Sequence, residues 1–160
     1  MTRTRSTGAP SAVTVRPGGS APPITAATIR AADADVDFSA YDIVYVVSSV
    51  TPNLELSQTF SVPPGSGIEA DGVEIRQAVT FGYDVRNQVV AGYGANVMAH
   101  ETGHVFGLPD LYDFTGVDDR HYFDGLRFAG GWDIMSWVQP GGEVLAWHRY
   151  LLGFLPRGAL

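Results

Sequence analysis

The chain has 160 residues, of which 45% are hydrophobic and 11% aromatic, enough apolar material for the core of one globular domain. Its net charge of −7 is opposite in sign to the basic surface that phosphate-backbone binding requires, so we predict no nucleic-acid partner. All ten basic residues are arginine and cysteine is absent, which excludes lysine Schiff bases, thiol nucleophiles, disulfides and thiolate-bound metals.

The N-terminal segment differs in composition from the rest of the chain. Its residues are rich in Ser, Thr, Gly and Pro, so we predict a flexible arm over residues 1–22 and a folded domain over residues 23–160. The segment lacks the apolar run of about 7 to 15 residues that a secretory signal needs. No stretch approaches the roughly 20 apolar residues of a membrane span, and we predict no membrane contact.

Four segments in the first half of the folded part carry patterns of regular structure. Residues Ile24–Ala32 predict a short helix, and the β-branched run Ile43–Val50 predicts a buried strand at the centre of a sheet. Apolar residues at mostly even spacing predict two further strands, within Leu54–Val62 and Val73–Tyr83.

The second half begins with the longest helical pattern. Residues Val89–Phe106 contain no proline and predict one helix that ends at Gly107, with Pro109 beyond it. Residues 110–140 are rich in Gly, Asp and aromatic side chains and predict loops and turns. An apolar stripe then predicts an amphipathic helix over Glu143–Leu152; its members are Val144, Trp147, His148, Leu151 and Leu152.

The long predicted helix contains the sequence HETGH, from His100 to His104. Residues four apart lie on one face of a helix, so the two imidazoles can bind the same zinc ion. Glu101 would then lie beside the water that the metal activates, where a carboxylate can act as the general base.

A catalytic zinc site needs a third protein ligand, and the sequence offers Asp110 in the pattern HExxHxxGxxD. Gly107 can adopt the left-handed conformation that reverses the chain after the helix, which would return Asp110 to the metal. For this composition, HExxH is expected by chance in roughly a few per thousand chains, and the full pattern in roughly a few per hundred thousand. A solvated helix with two chance histidines is therefore the less favoured interpretation.

The extended motif resembles that of the metzincin zinc peptidases, in the variant whose third ligand is aspartate. The segments HETGHVFGLPDLYD, GWDIMSW and AWHRYLLGFL, between residues 100 and 155, resemble bacterial secreted metallopeptidases of the immune inhibitor A type, and DFSAYDIVYVV (Asp37–Val47) does so more loosely. The resemblance implies an extracellular location. It also assigns Met135 to the Met-turn, where a methionine forms an apolar floor beneath the metal; an ordinary core methionine is the alternative.

One position departs from the metzincin pattern. Some metzincins carry a tyrosine two residues after the Met-turn methionine, where it stabilises the oxyanion, but this chain has Trp137 there. Stabilising the oxyanion then requires another hydrogen-bond donor besides zinc. Tyr112 and Tyr150 are candidates, although a packing role is favoured for both.

The remaining histidines and the acidic cluster each have a simpler interpretation. We expect His148 to pack or to face solvent on the last helix, and His121 to face solvent in the preceding loop. A group of aspartates could bind calcium, although a solvated acidic surface is favoured; the group is Asp110, Asp113, Asp118 and Asp119.

The sequence thus predicts a monomeric zinc endopeptidase that hydrolyses a protein or peptide substrate lying along an edge strand. The predicted fold is α+β and of the zincin type, with a small twisted sheet, the active-site helix, an irregular C-terminal part and a closing helix. Two alternatives stay open. One is a catalytically inactive zinc-binding fragment or pseudo-peptidase of a longer precursor, since no export signal or propeptide is visible. The other is a binding module with a structural zinc, although such sites are closed by four protein ligands and the motif supplies three.

Overall fold

The computed structural model describes residues 14–15, 23–47, 56–90, 92–112, 129–138, 143–156 and 158, and the structural statements below concern these ranges. They contain both strands and helices, so the predicted α+β class is confirmed. The chain divides into two compact units, residues 1–46 with 60–78, and residues 47–59 with 79–160.

The first unit contains a small antiparallel sheet. Its strands are β1 (Thr14–Val15), β4 (Ile68–Ala70) and β5 (Val73–Ile75), in the order β1-β4-β5. Strand β1 lies within the predicted flexible arm, and Thr14 pairs with Glu69. The connection from β4 to β5 places Asp71 and Gly72 at positive φ, 48° and 74°.

The core of the first unit lies beneath helix α1 (Pro23–Ala32), which confirms the helix predicted over Ile24–Ala32. A short 3-10 helix follows at Phe38–Ala40, and the side chain of Asp37 caps its N-terminus by accepting from the Ser39 amide. Eight buried apolar residues of this unit form one cluster, which comprises Ala26, Ile29, Phe38, Phe60, Ile68, Ala70, Ile75 and Ala78.

A second sheet consists of β2 (Val44–Val47), β3 (Gln58–Ser61) and β6 (Gln77–Phe81), in the order β2-β6-β3. Our prediction of a central strand over Ile43–Val50 is wrong for the described sheet, because β6 is central and β2 is at an edge. Within β2, Val46 is buried whereas Val47 is exposed, the alternation of a strand with one solvated face. Residues 48–50 lie outside the described ranges.

Two predicted elements are each divided in the structure. The pattern over Val73–Tyr83 corresponds to β5 and β6, which pair in different sheets. The single helix predicted over Val89–Phe106 is also wrong: the chain forms α2 (Tyr83–Val90) and α3 (Gly94–Val105). Gly92, at φ 89°, interrupts the helical path between them, because this left-handed conformation cannot continue a right-handed helix.

The closing helix, α4 (Ala146–Leu151), is shorter than the predicted helix over Glu143–Leu152. The backbone just before α4 forms hydrogen bonds outside the helix. The Glu143 carbonyl accepts from the Ile134 amide, and the Leu145 amide donates to the Asp133 carboxylate. The predicted apolar stripe is also only partly buried. Trp147 and Leu151 are exposed, and the buried residue of α4 is His148. None of the described helices has the length and apolar character needed to cross a membrane.

Candidate metal centre

Helix α3 carries both histidines of the HExxH pattern. His100 is buried and His104 is half-buried, one turn further along the helix. Their ring centroids lie 4.8 Å apart with the ring planes nearly perpendicular. The two imidazoles therefore reach the same region from one face of the helix, as their spacing predicts.

The chain reverses direction immediately after α3. Gly107 has φ 84°, which confirms the predicted left-handed conformation. The Gly107 amide donates to the His104 carbonyl at 2.9 Å, and the Leu108 amide donates to the Gly103 carbonyl at 3.0 Å. This compact helix end returns the chain towards the imidazoles within three residues.

Asp110 is brought between the two histidines by this reversal. Its Oδ1 atom lies 3.1 Å from Nε2 of His100 and 3.2 Å from Nε2 of His104. The structure therefore brings together all three residues that the sequence proposes as metal ligands.

The other nitrogen of each imidazole is fixed by a backbone carbonyl. Nδ1 of His100 lies 2.8 Å from the Ile134 oxygen, and Nδ1 of His104 lies 2.8 Å from the Leu108 oxygen. Because a carbonyl can only accept, we assign the proton of each neutral ring to Nδ1. Each Nε2 then presents a lone pair towards Asp110, the arrangement that metal-binding histidines adopt.

The three residues form a group that could hold a metal ion. The three candidate ligand atoms lie within 4.8 Å of one another. Oδ1 of Asp110 is buried, and no described donor makes an aligned hydrogen bond to it. Three electron-pair donors facing one another need a cation or added protons between them. Two imidazoles and one carboxylate match the ligand types of catalytic zinc sites, which keep a further position open.

Without a cation, the site would bind protons instead. Burial alone would lower the pKa of His100, but the adjacent Asp110 carboxylate and the Ile134 carbonyl raise it overall. For His104, Asp110 raises the pKa by more than burial lowers it. Burial opposes ionisation of Asp110, yet the two imidazoles hold its pKa well below the usual range. The metal-free site therefore favours protonated imidazoles beside an ionised Asp110.

The carboxylate of Glu101 is held by a residue that the sequence did not indicate. Thr59, on β3, donates from its hydroxyl to Oε2 of Glu101 at 2.7 Å. The same hydroxyl lies 2.8 Å from the Glu101 carbonyl oxygen. Glu101 is half-buried, and its negative charge contributes to the raised pKa values of His100 and His104.

Met135 is fully buried against helix α3. Its sulfur comes so close to Gly103 that a Cβ atom built on that glycine would lie 2.6 Å from Sδ. Gly103 stands between the two histidines in the sequence, so Met135 packs on the turn of the helix that carries them. A role for Met135 beneath a bound metal remains a prediction.

We expect Gly103→Ala to lower the free energy of unfolding by about 1–3 kcal/mol, because the added methyl group overpacks the contact with Met135. Thermal or urea unfolding measures this effect. In a Met135→Ala background, the same Gly103→Ala change is expected to be neutral or stabilising, since alanine favours a helix by about 1 kcal/mol over glycine. Equal effects in both backgrounds would contradict a direct contact.

A buried acid–histidine pair supports the turn that contains Met135. Asp133 and His148 are 0% and 1% exposed, and Oδ2 of Asp133 lies 2.9 Å from Nδ1 of His148. The Asp133 carboxylate also accepts from the amides of Met135 and Leu145, each at 2.8 Å. This turn also supplies the Ile134 carbonyl, which is hydrogen-bonded to Nδ1 of His100. We predicted a packing or solvated position for His148, and it is packed.

The two candidate tyrosines have different surroundings. The Tyr112 ring stacks on His100, with centroids 6.4 Å apart and planes 17° apart. Burial, assisted by Asp110, raises the pKa of its phenol, so Tyr112 stays protonated at neutral pH. Tyr150 stacks on Trp147 at 5.7 Å. Of these two tyrosines, Tyr112 is the one that lies beside the site.

Some predicted residues lie outside the described ranges. They are His121 and three aspartates of the suggested calcium group, Asp113, Asp118 and Asp119.

Comparison of the chain with models of known protein families, with curated proteins and with solved structures gives no match. The resemblance to metzincins therefore rests on the motifs and remains a proposal.

Proposed function

We propose that this protein is a zinc-dependent endopeptidase with a metzincin-like catalytic domain, acting on protein or peptide substrates outside the cell. The observation that carries the proposal is the convergence of Nε2 of His100, Nε2 of His104 and Oδ1 of Asp110. Glu101, the residue that follows the first of these on α3, supplies a carboxylate near them. A general base next to a metal site is what hydrolysis requires.

The proposed chemistry divides between the metal and the protein. Zinc held by these three residues would supply a Lewis acid, which polarises the scissile carbonyl and lowers the pKa of a water towards about 7. Glu101 accepts a proton from the attacking water as the water oxygen bonds to the carbonyl carbon. When the C–N bond breaks, Glu101 returns that proton to the leaving amine.

The protein atoms around Glu101 favour this role. Thr59 holds Oε2, which leaves the second oxygen, Oε1, to receive the proton. Tyr112 retains its phenolic proton and lies beside His100. Of the two candidate tyrosines, Tyr112 is therefore assigned the donation to a developing oxyanion, which Trp137 cannot supply through a hydroxyl.

The proposal is tested by removing and restoring the metal. The purified protein is expected to contain one equivalent of zinc by elemental analysis and to hydrolyse casein or gelatin. A chelator such as 1,10-phenanthroline should abolish hydrolysis, and added zinc should restore it.

Each other outcome leads to a different conclusion. Stoichiometric zinc without hydrolysis of any peptide library would indicate the inactive zinc-binding alternative. Iron in place of zinc would indicate an oxygen-activating site, because two histidines and one carboxylate also form the usual ligand set of such iron enzymes. Absence of any bound metal, with no binding on titration, would refute the proposal.

A further inference from the structure

We propose that Thr59 is a positioning residue for Glu101: its hydroxyl holds Oε2 and so fixes the orientation in which the carboxylate takes a proton from the reacting water. The inference rests on the proposed function of Glu101 as the general base. It goes beyond the motif, because Thr59 lies 42 residues before Glu101 and belongs to a strand, not to helix α3.

The Thr59 hydroxyl contacts two oxygen atoms of Glu101. Its oxygen lies 2.7 Å from Oε2 of Glu101 and 2.8 Å from the carbonyl oxygen of the same residue. A hydroxyl has one hydrogen, and the ionised carboxylate is the stronger acceptor, so the hydrogen is directed to Oε2. Side chain and backbone of Glu101 are thus both within reach of one atom, which restricts the carboxylate to a narrow range of orientations.

The strand that presents Thr59 is itself anchored two residues earlier. The amide of Ser57 donates to Oδ2 of Asp84 at 2.9 Å, and its hydroxyl donates to Oδ1 at 2.8 Å. The Ser57 oxygen also accepts from the Gly82 amide at 3.0 Å. Because Ser57 is buried and bonded three times, the backbone that carries Thr59 is held in place.

Orientation matters for a general base because proton transfer requires hydrogen-bond reach, about 2.6–3.2 Å, to the group that loses the proton. A free glutamate side chain samples several rotamers, and only some direct an oxygen to the substrate. The Thr59 hydrogen bond removes this freedom before substrate binds. Its loss should therefore lower the rate of the chemical step and leave substrate affinity nearly unchanged.

The first test compares Thr59→Val with Thr59→Ser. Valine has nearly the same shape as threonine but lacks the hydroxyl, so we expect kcat to fall by about 10- to 100-fold, the effect of losing a hydrogen bond to a charged group. KM, zinc content and melting temperature should change little. Serine keeps the hydroxyl and should restore kcat to within a few-fold of the original protein.

Thr102→Val is the matched control. Thr102 lies on α3 beside Glu101, but its hydroxyl donates to the Met98 carbonyl at 2.7 Å. This substitution removes a hydroxyl from the helix that carries Glu101 but keeps the hydrogen bond between Thr59 and the Glu101 carboxylate. A similar loss of kcat in Thr102→Val and Thr59→Val would mean that helix perturbation, not positioning, causes the effect.

The second test does not depend on activity. Crystal structures of the metal-free protein are expected to show one Glu101 side-chain conformation in the original and Thr59→Ser proteins, and several in Thr59→Val. If the original protein lacks peptidase activity, the proposed function fails, and these structures still decide whether Thr59 orders Glu101. If it is active, unchanged kcat together with a single conformation in Thr59→Val would overturn the positioning role alone.

Discussion

Glu101→Gln is expected to lower kcat for peptide hydrolysis by about 10²- to 10⁴-fold, the usual contribution of a general base, while zinc content stays at one equivalent. The amide has the shape of the carboxylate and can still accept a hydrogen bond from Thr59, but it cannot take a proton from water at neutral pH. The metal ligands are untouched by this change. Steady-state kinetics on a fluorogenic peptide, combined with elemental analysis, measures both quantities on the same preparation.

Glu143→Gln is the control for this experiment. The Glu143 side chain is exposed and pairs with Arg149, so its neutralisation should leave kcat within about twofold, as expected for a surface change. If Glu101→Gln hydrolyses peptides as fast as the original protein, Glu101 is not the base. If it loses zinc together with activity, the kinetic result reports metal loss, and Glu101 must be assigned a role in metal binding.

The geometry near the HExxH motif could be predicted because it is set by local rules. The spacing of His100 and His104 on a helix, and the left-handed Gly107 after it, both follow from the conformational preferences of a few consecutive residues. The return of Asp110 to the imidazoles follows from that turn. Each step depends on neighbours within about ten positions, which the sequence displays directly.

Predictions that depended on tertiary context were less successful. The β-branched run that contains β2 indicates a strand but cannot specify whether that strand is central or at an edge. The break at Gly92 was missed because an isolated glycine is tolerated inside many helices, and only the fold determines whether it adopts positive φ. The start of the last helix was placed too early, at Glu143, because the backbone there bonds to Asp133 and Ile134 instead of continuing the helix.

The supporting residues of the site could not be found from the sequence at all. Thr59 has no motif, and its contact with Glu101 depends on the placement of β3 beside α3. Asp133 and His148 are separated by a turn and a helix start, and the pair is recognisable only when both are seen to be buried. A buried histidine beside a buried carboxylate is a tertiary fact, although GWD and AWH do stand within the segments that resemble metallopeptidases.

Asp110→Ala is expected to weaken zinc binding by more than about 100-fold, because it removes a ligand. Losing only the hydrogen-bond partner of a ligand already weakens metal binding by roughly 10- to 100-fold. Asp35→Ala, which alters an exposed carboxylate in the first unit, should leave zinc affinity unchanged. Competition with a fluorescent chelator measures both affinities. Stoichiometric zinc in purified Asp110→Ala, at undiminished affinity, would show that the third ligand lies elsewhere.

The same substitution should weaken the pH dependence of the stability of the metal-free protein. The raised pKa values of His100 and His104 mean that their ion pairs with Asp110 stabilise the metal-free fold below the ordinary histidine value of 6.5, and that this stabilisation is lost as pH rises through the raised values. The lowered pKa of Asp110 means that its contribution is present above 3.8 and disappears only in strong acid. The metal-free fold should therefore gain most from this cluster between these two pH values.

Stabilisation by zinc should have the opposite pH dependence and increase as pH rises, because zinc needs both Nε2 atoms unprotonated and so competes with protons. The increase in melting temperature on adding zinc is expected to be larger at pH 8 than at pH 5.5. In Asp110→Ala, both the acid-side stabilisation of the metal-free protein and the zinc-dependent increase should be much reduced. Differential scanning calorimetry at the two pH values, with and without zinc, separates these effects. If zinc raises the melting temperature equally at both pH values, the metal does not bind through His100 and His104.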